Sequence, residues 1–135
     1  MSIPKIKKFV KGDRVYVRAQ QVWVVLVAFV MSKPERSQRT MNYGDLATKM
    51  GMDSRAGIGL GRELGIVGYF CVQNGLPAIN NIVVNRETGV PGVGVVTRKC
   101  KTIRHEQVDS FKTDWFEFRV PTTGTFRLVW EWMNS

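Results

Sequence analysis

The sequence predicts an α+β domain that is mostly helical. Its 135 residues suffice for one hydrophobic core but are too few for two. Apolar residues recur at helical spacing in several stretches, which glycine- and proline-rich breaks separate. Hydrophobic residues form 44% of the chain and include 7 Phe and 4 Trp, which is enough to fill one core.

The chain is expected to have three parts that share this core. Residues 1–19 are rich in lysine and arginine and are predicted to form a basic N-terminal arm. Residues 20–97 carry the main predicted elements. Residues 98–135 are predicted to add a C-terminal helix and an aromatic tail that pack on the same domain.

The first helix is predicted over residues 20–32. Val22, Val25, Leu26 and Phe29 follow the i, i+3, i+4, i+7 spacing of one helical face. The stretch is apolar on its other faces too, so the helix must be buried on more than one face or must cover a partner.

A short helix is predicted over residues 43–50, after a polar loop. Asn42 is placed to cap this helix, and Asp45 follows in its first turn. Leu46 and Ala47 are expected to face the core.

The next helix is predicted to run from Asp53 or Ser54 to about Gln73, although it is rich in glycine. Inside a helix each Gly costs about 1 kcal/mol relative to Ala, so the glycines need a structural reason. Close packing, close approach to the backbone of a ligand, or a break near Gly65 would each explain them.

A β-hairpin is predicted next, with strands over residues 79–85 and 90–97 and a turn over residues 86–89. An amphipathic helix over residues 106–118 and an aromatic tail over residues 126–132 complete the chain. Two helices joined by a turn and followed by a hairpin predict a winged helix-turn-helix. The hairpin is its wing, and the C-terminal helix is an addition.

The charge of the chain indicates a polyanionic partner. Lys and Arg number 20 against 11 Asp and Glu, which gives a net charge of +9 and a pI of about 10.0. DNA, RNA or an anionic membrane surface would suit this excess, and a basic surface without a partner is the alternative. The longest apolar run, residues 22–31, is about half of a bilayer span, and no signal-like segment is visible. We therefore expect a cytoplasmic protein with no membrane partner.

The sequence offers little for catalysis. Its cysteines, Cys71 and Cys100, form no C-x-x-C pair, so a zinc finger is not expected. Cys71 is interpreted as a buried structural residue, and Cys100 lies between two lysines without a redox partner in the sequence. The single histidine, His105, lies in a basic linker. We predict no catalytic residues, no metal and no cofactor, hence a protein that is not an enzyme.

Three motifs occur within residues 20–95: Gln20-Gln21-Val22-Trp23 with Leu26, Asn42-Tyr43-Gly44-Asp45-Leu46-Ala47, and Ile82-Val83-Val84 with Gly89. A small and basic stretch over residues 55–62 lies between the second and the third. Together they resemble the DNA-binding domain of the O6-alkylguanine-DNA alkyltransferases and the alkyltransferase-like proteins, whose recognition helix is similarly small and basic. The resemblance implies a winged helix-turn-helix that binds DNA, with Tyr43 near a phosphate.

Two departures from this family limit what the resemblance implies. Asn80 takes the place of the nucleophilic cysteine and Asn81 that of the following histidine, so alkyl transfer by that mechanism is excluded. Ile58 corresponds approximately to the arginine that fills the space of a flipped base. An apolar wedge at this position can still unstack bases.

The leading hypothesis is a non-enzymatic protein that binds double-stranded DNA. The predicted DNA-binding residues are Tyr43, Ser54, Arg55, Ile58, Arg62, Arg86, Arg98, Lys99 and Lys101. The alternative is a small factor of the phage or mobile-element type that binds a host protein, with the aromatic-rich C-terminal third as the contact surface. A repair enzyme is a third hypothesis, and a homodimer is left open.

Overall fold

Five α-helices and two short strands lie in residues 2–92 and 94–135, the part of the chain that the computed structural model describes. The helices are α1 (Val15–Met31), α2 (Tyr43–Lys49), α3 (Gly61–Gln73), α4 (Ile103–Lys112) and α5 (Thr123–Met133). The strands are β1 (Met41–Asn42) and β2 (Val83–Val84). Short 3₁₀ segments lie at Arg36–Gln38, Ser54–Leu60, Ile79–Ile82 and Trp115–Glu117. The coarse prediction of a mostly helical α+β protein is therefore confirmed.

Helix α1 is the element around which the others pack. Ala19, Val22 and Leu26 recur at spacings of three and four residues and are completely buried. Both α3 and α5 lie against α1, which explains why its sequence is apolar on more than one face. Within the described residues, no helix combines the length and the apolar character needed to cross a membrane.

The start of α1 differs from the prediction. The helix begins at Val15, inside the stretch of residues 1–19 that was predicted to be an arm. Arg18, in the added turn, places its Nε 2.7 Å from a carboxylate oxygen of Glu63 on α3. Glu63 is completely buried, so this ion pair anchors the added turn to the core.

The predicted cap of α2 is confirmed. The Asn42 side chain accepts a hydrogen bond from the backbone N–H of Asp45 at 2.8 Å. The Asp45 carboxylate in turn accepts one from the backbone N–H of Asn42, so the two residues form a capping box. Leu46 and Ala47 are completely buried, as their positions predict.

The glycine-rich segment is two elements rather than one helix. A 3₁₀ segment, Ser54–Leu60, precedes α3, so the break falls before Gly61 and not near Gly65. Gly57 lies so close to the backbone carbonyl of Tyr43 that a Cβ at this position would overlap it. Close packing is therefore the reason for this glycine.

The predicted β-hairpin is wrong. Residues 79–82 form a 3₁₀ segment, and β2 pairs in parallel with β1, with Val83 opposite Met41. No strand forms in the described residues of the second predicted strand, 90–92 and 94–97, and residue 93 lies outside the described part. Both residues of β2 are buried, and a continuous apolar strand of this kind suits an interior parallel pair better than a solvent-facing wing.

The C-terminal third also has different boundaries from those predicted. Helix α4 begins earlier than predicted because Thr102 caps it, and it ends before the 3₁₀ segment Trp115–Glu117. The predicted aromatic tail is the amphipathic helix α5, in which Phe126 and Val129 are buried at helical spacing. Trp132 lies off this face and is 54% exposed.

The glycines of the 3₁₀ segment provide a test of this packing. Gly57→Ala should lower the free energy of unfolding by about 3 kcal/mol, because the new methyl group overlaps the rigid backbone of Tyr43. Gly59→Ala is the matched control, since nothing lies within 4 Å of its added Cβ. Urea unfolding of the two variants measures the difference. Equal stabilities would contradict the close approach of Gly57 to Tyr43.

Candidate nucleic-acid interface

An open groove lies between the start of α2, the 3₁₀ segment Ser54–Leu60 and the turn at residues 85–90. We call it the helix-turn groove; its volume is about 450 Å³. The residues that line it are Asn42, Tyr43, Gly44, Asp45, Thr48, Ser54, Arg55, Ile58, Asn85, Arg86 and Glu87. Five of the residues predicted to bind DNA therefore lie together in this groove: Tyr43, Ser54, Arg55, Ile58 and Arg86.

Tyr43 connects the start of α2 to the segment that follows the turn at residues 85–90. Its hydroxyl accepts a hydrogen bond from the backbone N–H of Gly92 at 2.6 Å. A Cβ on Gly92 would lie 2.6 Å from the same oxygen, so the contact requires glycine there. Because a phenol can donate while it accepts, the Tyr43 hydroxyl can still donate a second hydrogen bond.

The turn at residues 85–90 is shaped by Asn85. Its side-chain carbonyl accepts hydrogen bonds from the backbone N–H groups of Glu87 and Thr88, at 2.8 and 3.1 Å. The backbone N–H of Gly89 closes the turn on the carbonyl of Asn85 at 2.8 Å. Arg86 is consequently presented at the exposed end of the turn. Asn85 is not among the predicted DNA-binding residues, although Asn before such a turn is a recognisable signal.

The charges in the helix-turn groove are balanced. The guanidinium of Arg55 donates two hydrogen bonds to the carboxylate of Asp53, at 3.0 and 3.1 Å. These bonds hold the pKa of Asp53 below its usual value and raise the pKa of Arg55. Among the lining residues themselves, Asp45 and Glu87 carry negative charge and Arg55 and Arg86 carry positive charge. The groove thus offers both donors and acceptors rather than a concentrated positive field.

Ile58 is the most exposed apolar side chain near this groove, with 87% of its surface accessible. It lies between Gly57 and Gly59 on the 3₁₀ segment, so its neighbours add no side chains around it. The structure thus presents Ile58 to solvent as an apolar side chain in the lining of the groove.

Arg98 has a structural role that the sequence did not predict. Its guanidinium forms ion pairs with Glu106 at 2.8 Å and with Asp109 at 2.7 Å. Glu106 is completely buried and also accepts hydrogen bonds from the backbone N–H groups of Ala78 and Arg98, both at 3.0 Å. Arg98 therefore compensates a buried carboxylate.

The other predicted DNA-binding residues lie outside the helix-turn groove. Arg62 is exposed on α3. Lys99 and Lys101 are exposed before the start of α4. Their assignment to DNA binding stays a prediction.

Two of the positions relevant to covalent chemistry are buried, whereas the free cysteine Cys100 is exposed. Asn80, at the position where the resemblance places a nucleophile, is 4% exposed and lies against Gly68. Cys71 is completely buried, and this burial raises the pKa of its thiol to about 12. A thiol with so high a pKa carries almost no thiolate at neutral pH. No cluster of three or more His, Cys, Asp or Glu suited to a metal occurs in residues 2–92 and 94–135.

Comparison of the chain with protein-family models, with curated proteins and with solved structures gives no match.

The role of Arg98 can be tested on stability. Arg98→Ala should lower the free energy of unfolding by about 3 kcal/mol, because it leaves the buried Glu106 carboxylate uncompensated. The neighbouring exposed Lys99 provides the control, and Lys99→Ala should change stability by less than about 0.5 kcal/mol. Chemical denaturation measures both values. A fully stable Arg98→Ala protein would leave the Arg98–Glu106 pair without a structural role.

Proposed function

We propose that this protein binds double-stranded DNA with the helix-turn groove facing the duplex. The observation that carries the proposal is the meeting of exposed Arg55, Arg86 and Ile58 with Tyr43 at one groove. These residues come from three separate segments of the chain. The net charge of +9 supports a polyanionic partner.

In this proposal the helices act as a helix-turn-helix. Helix α2 is the first helix, and the 3₁₀ segment with α3 is the second, whose start enters the major groove. Ser54 and Arg55 lie at that start. The turn at residues 85–90 takes the place of the tip of a wing. It brings Arg86 to the flanking sugar-phosphate backbone of the DNA.

Arg55 must exchange its partner on binding. In the free protein it is paired with Asp53, but 89% of its side-chain surface is exposed. An exposed ion pair contributes little to stability, so a phosphate can take the place of Asp53 at small cost. Double-stranded DNA should be preferred to double-stranded RNA, because a helix fits the major groove of the B form and not the narrow one of the A form.

Charge-removing variants distinguish these contacts from a diffuse effect of charge. Arg55→Ala and Arg86→Ala should each weaken binding and lower the slope of log affinity against log salt by about 1, because each loses one phosphate contact. Ile58→Ala should weaken binding and leave the slope unchanged, since it removes no charge. Fluorescence anisotropy of a labelled duplex across a salt series measures both quantities.

Arg127 supplies the control for this series. It is exposed on α5 and lies 3.8 Å from Glu131, and it does not line the helix-turn groove. Arg127→Ala should bind DNA nearly as well as the unmodified protein. A loss equal to that of Arg55→Ala would mean that the charges act diffusely and that the proposed placement of the duplex is wrong.

A second candidate function is the binding of a host protein. The observation that favours it is an apolar groove of about 550 Å³ between α1 and residues 115–120. Val24 and Phe116 line this groove and are 45% and 72% exposed. A partner that survives nuclease digestion of the lysate, and that is lost with Phe116→Asp, would favour this function over DNA binding.

A further inference from the structure

A second groove lies between the loop that follows α1 and the outer side of α4. We call it the basic groove; its volume is about 490 Å³. The residues that line it are Arg36, Ser37, Arg39, Thr40, Arg104, Gln107, Val108, Phe111 and Lys112. This surface is separate from the residues that sequence analysis predicted to bind DNA.

The basic groove concentrates positive charge that the protein neutralises only in part, since Lys112 lies close enough to Asp109 to help lower the pKa of that carboxyl. Its charged lining residues, Arg36, Arg39, Arg104 and Lys112, are all cationic and exposed. Within residues 2–92 and 94–135, none of them lies within ion-pair distance of a carboxylate. Cations gathered in this way repel one another, so their arrangement favours a partner that brings negative charge.

The fold holds one of these arginines in place. The guanidinium of Arg39 lies over the ring of Phe111, 5.2 Å from its centroid, and its Nε donates to the carbonyl of Pro34 at 3.4 Å. Phe111 is itself packed against Phe29 of α1, with 6.3 Å between ring centroids. Because a guanidinium has five N–H donors, most remain available for an anion. The hydroxyls of Ser37 and Thr40 add neutral donors to the same groove.

The basic groove adjoins the helix-turn groove. Thr40 lines the first and Asn42 lines the second, and only Met41 separates them in the chain. Because Thr40 and Asn42 are two residues apart, their Cα atoms lie at most about 7 Å apart. The two grooves are therefore neighbours on the surface.

We propose that the basic groove binds the phosphate backbone of the duplex beyond the base pairs that face the helix-turn groove. This inference rests on the proposed function. Phosphate is the ligand, and Arg36, Arg39, Arg104 and Lys112 neutralise successive phosphates of one strand. The basic groove then supplies further phosphate contacts and a larger salt dependence, in addition to the contacts of Arg55 and Arg86 at the helix-turn groove.

The test compares two pairs of substitutions of equal charge on two duplex lengths. The basic-groove pair is the double variant Arg39→Gln with Arg104→Gln. The control pair is the double variant Arg119→Gln with Arg127→Gln, which changes exposed arginines outside both grooves. The duplexes have about 10 and about 20 base pairs, or one and two helical turns. Circular dichroism melting verifies that both proteins fold, and Arg36→Gln with Lys112→Gln provides a second pair at the basic groove.

On the longer duplex the basic-groove pair should weaken binding about tenfold and lower the salt slope by about 2, whereas the control pair should change affinity less than about twofold. On the shorter duplex the basic-groove pair should have a much smaller effect. Equal losses for both pairs on the longer duplex, or equal losses on both duplexes, would overturn the inference. If the unmodified protein binds neither duplex even at low salt, both the proposed function and this inference fail. If Arg55→Ala weakens binding and the basic-groove pair does not, only this inference fails.

Discussion

The buried carboxylate of Glu106 is the constraint on which both grooves depend. It accepts hydrogen bonds from the backbone of Ala78 and from the backbone and side chain of Arg98. A buried carboxylate without such partners is costly, so the segment before β2 and the segment before α4 must close on Glu106 together. The segment before β2 continues into that strand, which pairs with β1. Strand β1 is followed directly by α2, whose start lies at the helix-turn groove. The basic groove lies on the outer side of the helix that carries Glu106.

The two grooves differ in how their charges are satisfied. In the helix-turn groove Arg55 is already paired with Asp53, and further carboxylates lie nearby. In the basic groove Arg39 is oriented by an aromatic ring and a carbonyl, neither of which cancels its charge. In the proposal a phosphate can therefore pair with the cations of the basic groove directly, whereas at the helix-turn groove it must first displace Asp53 from Arg55.

Local signals in the sequence correctly predicted features that depend on residues close together in the chain. Most features that depend on contacts between distant residues were not predicted. The capping box of Asn42 and Asp45 involves residues three apart, and it was predicted correctly. The partner of β2 is β1, far earlier in the chain, and a strong turn at residues 85–90 suggested a hairpin instead. In the helix-turn groove, Arg55 and Arg86 were found because the motif order placed them together. The basic groove was missed because its arginines lie on two segments that only the folded chain brings side by side.

The central claim is that one DNA duplex crosses both grooves. Titration of the ¹⁵N-labelled protein with a duplex of about two helical turns, followed by amide chemical shifts, tests it most directly. The account predicts that the largest shifts fall in residues 54–58 and 85–87 of the helix-turn groove, and in residues 36–40 and at Arg104 of the basic groove. Shifts confined to residues 115–120 beside the apolar groove, or no shifts at all, would contradict it.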